Sequence, residues 1–297
     1  MLALGFVASL LLSASHAVPC GPAKYSSVVV FGDSYSDNGN GFAMTNQTWP
    51  ADPAYYKGRF SNGPVWPEYL AASLGIPLHD HAHGGATTSN ALVRGYTGRK
   101  GNQLVPSLED QVDKYLSTER DEATPVDSAL FILWGGVNDA LANQSITPAQ
   151  SANVLSSLVT KLQDAGAAHF LLLGFPDLSM IPWDSLIDGA SREMLHDYSV
   201  GLGEQLGRLA ERVSMSSEAR ANYISLAPLF HSFGFYKEGW KAAGFDQFGL
   251  YGSCLVGAYT KAPRTLCADP EKRVYWDEFH PSRKAHELIA KTIRKTL

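Results

Sequence analysis

The sequence predicts an α/β fold, a three-layer α/β/α sandwich around a central parallel sheet of about five strands. Two patterns carry that expectation. Short apolar runs rich in branched residues stop at glycines, as strands buried on both faces do, and segments with helical apolar spacing alternate with them. Such alternation argues for βαβ units. No internal repeat or low-complexity linker interrupts residues 18–297, which read as a single domain.

Residues 26–31 (SSVVVF), ended by Gly32, form the first strand. In residues 64–74, Val65, Tyr69, Leu70 and Leu74 recur at helical spacing and Gly75 supplies the stop. Residues 76–83 read as extended, and residues 106–116 as a helix with Leu108, Val112, Tyr115 and Leu116 on one face. Residues 128–134 (SALFILW) are the clearest buried strand. Thr147-Pro148-Ala149-Gln150 combines a capping box with proline at the first helical position, opening a helix to about residue 164. Residues 169–173 and 222–226 are strands four and five, separated by a long helix over residues 191–213. Residues 281–295 close the chain as an amphipathic helix burying Ala285, Leu288, Ile289 and Thr292. Residues 39–63 and 235–274 remain irregular, and loops of that length are usually functional or covering structures.

Of the 297 residues, 45% are hydrophobic and 18% charged, which excludes disordered, collagen-like and coiled-coil chains. With 24 Lys+Arg against 29 Asp+Glu, a net charge of −5 and no long basic run, nucleic acid is excluded as a partner. Residues 2–12 are almost purely apolar, too short to span a bilayer, and lead into the small-x-small pattern Ser15-His16-Ala17. Although its start lacks Lys and Arg, this segment reads as a secretory signal peptide over residues 1–17, so the product is expected to be secreted and extracellular. No later stretch is apolar enough for a membrane span, and nothing suggests an obligate partner, so a monomer is expected. Asn46-Gln47-Thr48 and Asn143-Gln144-Ser145 are glycosylation candidates. Of Cys20, Cys254 and Cys267, the last two lie in one Gly/Pro-containing stretch and are the favoured disulfide. A bridge from Cys20 to either of the others stays open.

Ligand crevices in such sheets lie beyond the carboxyl ends of the strands. There, after the first strand, stands Gly32-Asp33-Ser34-Tyr35-Ser36-Asp37, where glycine permits a sharp strand-to-helix turn that exposes a serine hydroxyl. Read blandly, Asp33 and Ser34 only cap a helix. A nucleophilic serine needs a base, and the base an orienting acceptor. Asp277-Glu278-Phe279-His280-Pro281 offers both, since Pro281 keeps His280 out of helical geometry and Asp277 is within one turn of it. Donors for a developing oxyanion come from the Asn138 amide in Gly135-Gly136-Val137-Asn138-Asp139 and a backbone N–H in His83-Gly84-Gly85-Ala86-Thr87.

These four blocks, in this order, resemble the GDSL or SGNH hydrolase family, with Ser34, Gly85, Asn138 and His280 at its four named positions and Asp277 as the third member of a triad. Tyr35 stands where the family name has leucine, and Gly84 competes with Gly85 for the oxyanion position. The resemblance implies a flavodoxin-like sheet and ester hydrolysis through an acyl-enzyme, with no cofactor and no metal. Ser34, Asp277 and His280 would be catalytic, and Ser34, Gly85 and Asn138 would form the oxyanion hole.

The run from Thr48 through Trp66 looks most like secreted fungal members grouped as carbohydrate esterase family 16, implying acetyl esters of hemicellulose-derived oligosaccharides as substrates. Trp49, Tyr55, Tyr56 and Trp66 would then stack on sugar faces, or else plug a lid against the sheet. A lipase or phospholipase of the same family needs an apolar acyl groove, which residues 230–235 and 245–251 could line. A secreted carbohydrate-binding protein without turnover is the reading from another class. His79, His81 and His83 alternate as a zinc tripod would on a strand, but they lead straight into Gly84-Gly85 and need no metal there. Asp139 is a substitute triad acid or, more simply, a helix cap.

Overall fold

Five short strands carry the framework: β1 (Val28–Gly32), β2 (Leu78–Asp80), β5 (Leu130–Trp134), β6 (His169–Gly174) and β7 (Arg220–Ser225), with the two-residue strands β3 (Tyr96–Thr97) and β4 (Gln103–Leu104) between β2 and β5. The computed structural model describes residues 24–51, 53–119, 125–183, 187–234, 238–247 and 249–297; the expected signal peptide and Cys20 lie outside them. The sheet order is β2-β1-β5-β6-β7, parallel throughout, with Gly32 opposite Trp134 where β1 and β5 end. Every residue of β1 and β5 is buried, so both faces of the sheet are covered. A second hairpin joins β8 (Leu255–Val256) to β9 (Thr265–Leu266).

Among the described residues the helices are α1 (Asn40–Met44), α2 (Trp66–Leu74), α3 (Leu108–Lys114), α4 (Val137–Ala142), α5 (Pro148–Asp164), α6 (Gly189–Ser216), α7 (Ala227–Gly234), α8 (Gly239–Ala243) and α9 (Arg283–Arg294). α2 packs on α9, while α3, α5 and α6 pack together, giving the expected three layers. The capping box at Thr147 forms as read, Thr147 Oγ1 accepting from Gln150 N at 3.3 Å.

The structure differs from the expectation where elements are too short for periodicity to register. Residues 39–63 contain α1, and residues 235–274 contain α8 and the β8–β9 hairpin. The extended run 76–83 contributes only three assigned residues, yet it goes on bonding β1 through His81 N to Val30 O and His83 N to Gly32 O. That continuation brings Gly84 and Gly85 alongside the end of β1.

At that end Gly32 is required by space: a Cβ there would lie 2.7 Å from Trp134 O. The buried Gln111 amide completes the edge, accepting from Gly32 N and donating to Gly32 O, both at 2.9 Å. Because the chain passes from β1 to β2 on one side and then returns to β5 on the other, the strand order reverses here, which opens the crevice.

Cys254 and Cys267 are bonded to each other and close the β8–β9 hairpin, with a sequence separation of 13. A loop of this size gains about 3 kcal/mol from closure. Replacing both cysteines by serine is expected to lower the free energy of unfolding in urea by about that amount; an unchanged midpoint would show that the hairpin is held by its other contacts.

Candidate active site

After Gly32 the chain turns at once into a helical turn, Ser36 N and Asp37 N both donating to Asp33 O at 3.0 Å, and Ser34 sits at its apex, 9% exposed. Two carboxylates fix this turn. Asp37, fully buried, accepts from Gly39 N at 2.8 Å and, across the crevice, from Gly84 N at 2.7 Å. Asp33 accepts from Tyr35 N at 3.0 Å, but its Oδ2 has no hydrogen-bond partner among the described residues. Burial, reinforced by the neighbouring Asp139 and Asp37, pushes the Asp33 carboxyl up to about 7, so below neutrality it is a neutral acid.

His280 reaches Ser34 from the loop ahead of α9, with Nε2 2.8 Å from Ser34 Oγ. On its other side Nδ1 lies 2.8 Å from each oxygen of Asp277. Burial alone would raise the Asp277 carboxyl, but the His280 ring, the Tyr55 hydroxyl and the Phe279 N–H together hold it below the usual carboxylate range. An ionised carboxylate only accepts, so Nδ1 carries the ring proton and Nε2 is free to take one from Ser34. Phe60 packs on the imidazole at 4.9 Å between ring centroids, and Tyr259 lies at 6.3 Å on a parallel plane.

The candidate donors line the same cavity. Asn138, in the first turn of α4, donates one amide hydrogen to Ala86 O at 2.9 Å and lines the crevice. Gly84 N is committed to Asp37, whereas Gly85 lines the cavity with Ser34 and Asn138. Gly85 holds φ +89°, and a Cβ would meet Tyr96 O at 2.3 Å. Asp139 caps no helix. It lies within α4 and ties the loop after β2 to α5, accepting from Thr88 N at 2.8 Å, Thr88 Oγ1 at 2.5 Å and Ser151 Oγ at 2.6 Å.

The cavity measures about 490 Å³. Its lining includes the apolar Val137, Leu141, Leu178, Ile181, Trp183 and Phe279, and the β3–β4 hairpin contributes Tyr96, Arg99 and Lys100. Of the four aromatics expected to stack on sugars, only Trp49 lines this space, edge-on to Tyr259 at 5.3 Å. Trp66 is wholly buried, its Nε1 donating to Ser36 Oγ at 3.2 Å, and no ligand reaches it. Tyr55 is likewise buried, its hydroxyl donating to Asp277 Oδ2 at 2.5 Å. Tyr56 stands outside the cavity beneath Lys57 and Arg59. Phe230, Phe233 and Phe245 are core residues packed on one another, not an acyl groove.

No motif points to Arg264, whose guanidinium accompanies Tyr55 behind Asp277, or to the Tyr35 hydroxyl, which donates to Phe279 O at 2.7 Å and so ties the serine turn to the histidine loop. His81 stacks on Phe31 at 5.3 Å, and among the described residues no three His, Cys, Asp or Glu side chains converge as a metal site would require. Asn46 and Asn143 are both exposed.

Sheet order and the convergence of these groups at its carboxyl edge define a three-layer α/β/α fold of the SGNH type. The chain belongs to the GDSL-like Lipase/Acylhydrolase family, whose model its residues 28–293 match. It is 26% identical to the Thermolabile hemolysin of Vibrio parahaemolyticus over 91% of this chain and 63% of that one. With the Phosphatidylcholine-sterol acyltransferase of Aeromonas hydrophila it shares 34% identity over 53% of this chain and 47% of that one. The chain thus spans less than two thirds of either relative. A GDSL esterase/lipase of Arabidopsis thaliana is 24% identical over 91% of both chains. Among solved structures, a carbohydrate esterase family 2 enzyme of Corynascus thermopiles (Myceliophthora fergusii) shares the fold, with a TM-score of 0.52 and 16% identity over 94% of this chain and 67% of that one.

The raised Asp33 carboxyl makes stability depend on pH. Its folded pKa lies above the unfolded value, so its contribution is full below about pH 4, falls as pH rises, and is gone above about pH 7. Thermal melts between pH 5 and pH 8 should show the wild type losing stability, and Asp33→Asn losing distinctly less. Asp37, Asp80 and Asp139, also raised chiefly by desolvation, add to the slope in both proteins. Equal slopes for the two proteins would remove Asp33 from the account.

Proposed function

We propose that the chain cleaves carboxylic esters through Ser34, His280 and Asp277, and that the acyl group it accepts is longer than acetyl. The observation that carries this reading is a serine hydroxyl 2.8 Å from a carboxylate-held imidazole, both lining a cavity rich in apolar side chains. Pockets for ligands of drug size span about 300–1,000 Å³, and the volume here, about 490 Å³, falls within that range and far exceeds an acetyl group.

Chemically, His280 Nε2 takes the Ser34 proton as Oγ attacks the ester carbonyl, and Asp277 stabilises the imidazolium. The carbonyl oxygen, becoming negative, is held by the N–H groups of Ser34 and Gly85 and the second Asn138 amide hydrogen. His280 returns the proton to the departing alcohol, leaving an acyl-serine. Water then enters by the same route and frees the acid.

Val137, Leu141, Leu178 and Ile181 support the acyl side of the substrate. A shorter-chain reading, deacetylation of hemicellulose-derived oligosaccharides in the manner of carbohydrate esterase family 16, draws support from Trp49 and Tyr259, aromatic surfaces in the same space. Secretion belongs to the proposal too, supported by the N-terminal apolar run and by a disulfide that an oxidising compartment would preserve. No helix among the described residues is long and apolar enough to cross a membrane. A monomer processed after Ala17, with residues 18–297 as one catalytic domain, completes the picture.

A chain-length series decides between the substrate readings. On 4-nitrophenyl acetate, octanoate and palmitate, kcat/KM is expected to peak at octanoate or beyond, and to vanish in Ser34→Ala. A peak at acetate would return the assignment to sugar acetyl esters, and hydrolysis that survives Ser34→Ala would end the serine mechanism. Asn138→Ala should lower kcat by roughly 10²–10³-fold, the usual effect of losing one oxyanion donor; wild-type turnover would remove Asn138 from the oxyanion site.

A further inference from the structure

Behind the triad lies an arrangement that ester hydrolysis as described above does not use. Asp277 is completely buried, and its two oxygens are treated differently. Oδ1 accepts from Phe279 N and His280 N, each at 2.8 Å, within its own loop. Oδ2 accepts from the Tyr55 hydroxyl at 2.5 Å, and Tyr55 comes from the loop ahead of α2, 222 residues away. The same phenol oxygen accepts from Arg264 Nη2 at 2.8 Å, while Arg264 Nη1 donates to Glu278 Oε2 at 2.7 Å. The Arg264 side chain is 1% exposed and is carried by the disulfide-closed hairpin, one residue ahead of β9.

The chemistry of this row is specific. A guanidinium in direct bidentate contact with Asp277 would claim the carboxylate that His280 needs. With the phenol interposed, the cation is held 4.0 Å from Oδ2, and the hydroxyl, polarised by Arg264, passes on part of its charge as one strong hydrogen bond. Glu278 balances the other side of the guanidinium, so the buried cluster holds two carboxylates and one cation besides the imidazole.

We propose that Tyr55 and Arg264 are positioning residues for ester hydrolysis, acting through Asp277 to fix the orientation and basicity of His280. This rests on the reading of Ser34, His280 and Asp277 given above. The groups facing the Asp277–His280 pair are Ser34 and Tyr35 from the turn after β1, Tyr55 from the loop ahead of α2, Tyr259 and Arg264 from the disulfide hairpin, Glu278 from their own loop, and His286 from α9. His286 is kept neutral by burial, its pKa held down to about 3, so the charges that act are those of Arg264 and Glu278.

The row predicts opposite shifts for two substitutions. Tyr55→Phe keeps the ring but strips Asp277 of a donor, which makes the Asp277–His280 pair a stronger base. The acid limb of the kcat pH profile should move to higher pH and kcat fall about tenfold, as loss of one hydrogen bond to a charged group implies, with KM unchanged. Glu278→Gln leaves the Arg264 charge less balanced, and the acid limb should move to lower pH. A residue with a merely structural part would give neither the opposition nor the separation of kcat from KM. Wild-type acid limbs in both variants, or shifts in the same direction, would overturn the proposal. Should Tyr55→Phe fold poorly, Glu278→Gln still decides it by the direction of its shift. Ser34→Ala measured alongside keeps the two readings apart: an inactive Ser34→Ala with an unshifted Tyr55→Phe condemns the row alone, whereas an active Ser34→Ala condemns the triad itself and the row that depends on it.

Discussion

A carboxylate removed from water must find donors, and that demand holds the catalytic edge of this protein together. Asp37 satisfies it by reaching from the turn after β1 to Gly84 N, Asp139 by reaching from α4 to Thr88 and Ser151, and Asp277 by gathering His280, Tyr55 and two backbone amides. Each therefore joins chain segments that the sheet alone would leave as separate loops. The groups proposed to react sit at those junctions: Ser34 beside Asp37, Gly85 next to the amide that Asp37 holds, Asn138 beside Asp139, and His280 on Asp277. Loosening one carboxylate would move a donor or the base by a fraction of an ångström, which is the scale on which such sites fail.

The sequence was legible where structure depends on near neighbours. VVVFG and LFILW are apolar without alternation because both faces are covered, and TPAQ caps a helix with its own side chains, so these elements need no distant information. Asp277 and His280 are three residues apart, and their pairing could be inferred from that spacing. The two-residue strands of the hairpins are too short to leave a periodic trace. Aromatic content also misled, since composition does not say which way a ring faces. Trp66 opens a helix and turns into the core, and Tyr55 turns inward to the triad acid, although both belong to a stretch that reads as a sugar platform. Arg264 was invisible because its partner Tyr55 lies 209 residues away.

Framework and specificity are built from different materials. The sheet and its flanking helices bring Ser34, Gly85 and Asn138 to one edge through strand order, which any fold of this topology supplies. The walls that meet a substrate come from the segments between strands: the turn after β6, the β3–β4 hairpin, the loop bearing Trp49 and the β8–β9 hairpin with Tyr259. Trp183 is tied to the histidine loop through its N–H to Glu278 O at 2.9 Å and its ring beside Phe279 at 5.4 Å. The apolar wall and the base therefore share a support.

Tyr35, the departure from the leucine of the family name, fits this logic. A leucine could fill the space against Trp134 and Phe175 but could not donate to Phe279 O, one residue before His280. The tyrosine thus binds the turn of Ser34 to the loop of His280 by a hydrogen bond. Asp139 shows the complementary constraint. It is buried and acidic near the same edge, yet Thr88 and Ser151 occupy its oxygens, and no imidazole is placed to use it. Of the buried acids at this edge, only Asp277 has both oxygens within reach of a histidine, and it can offer them because Tyr55, not the guanidinium of Arg264, stands at its back.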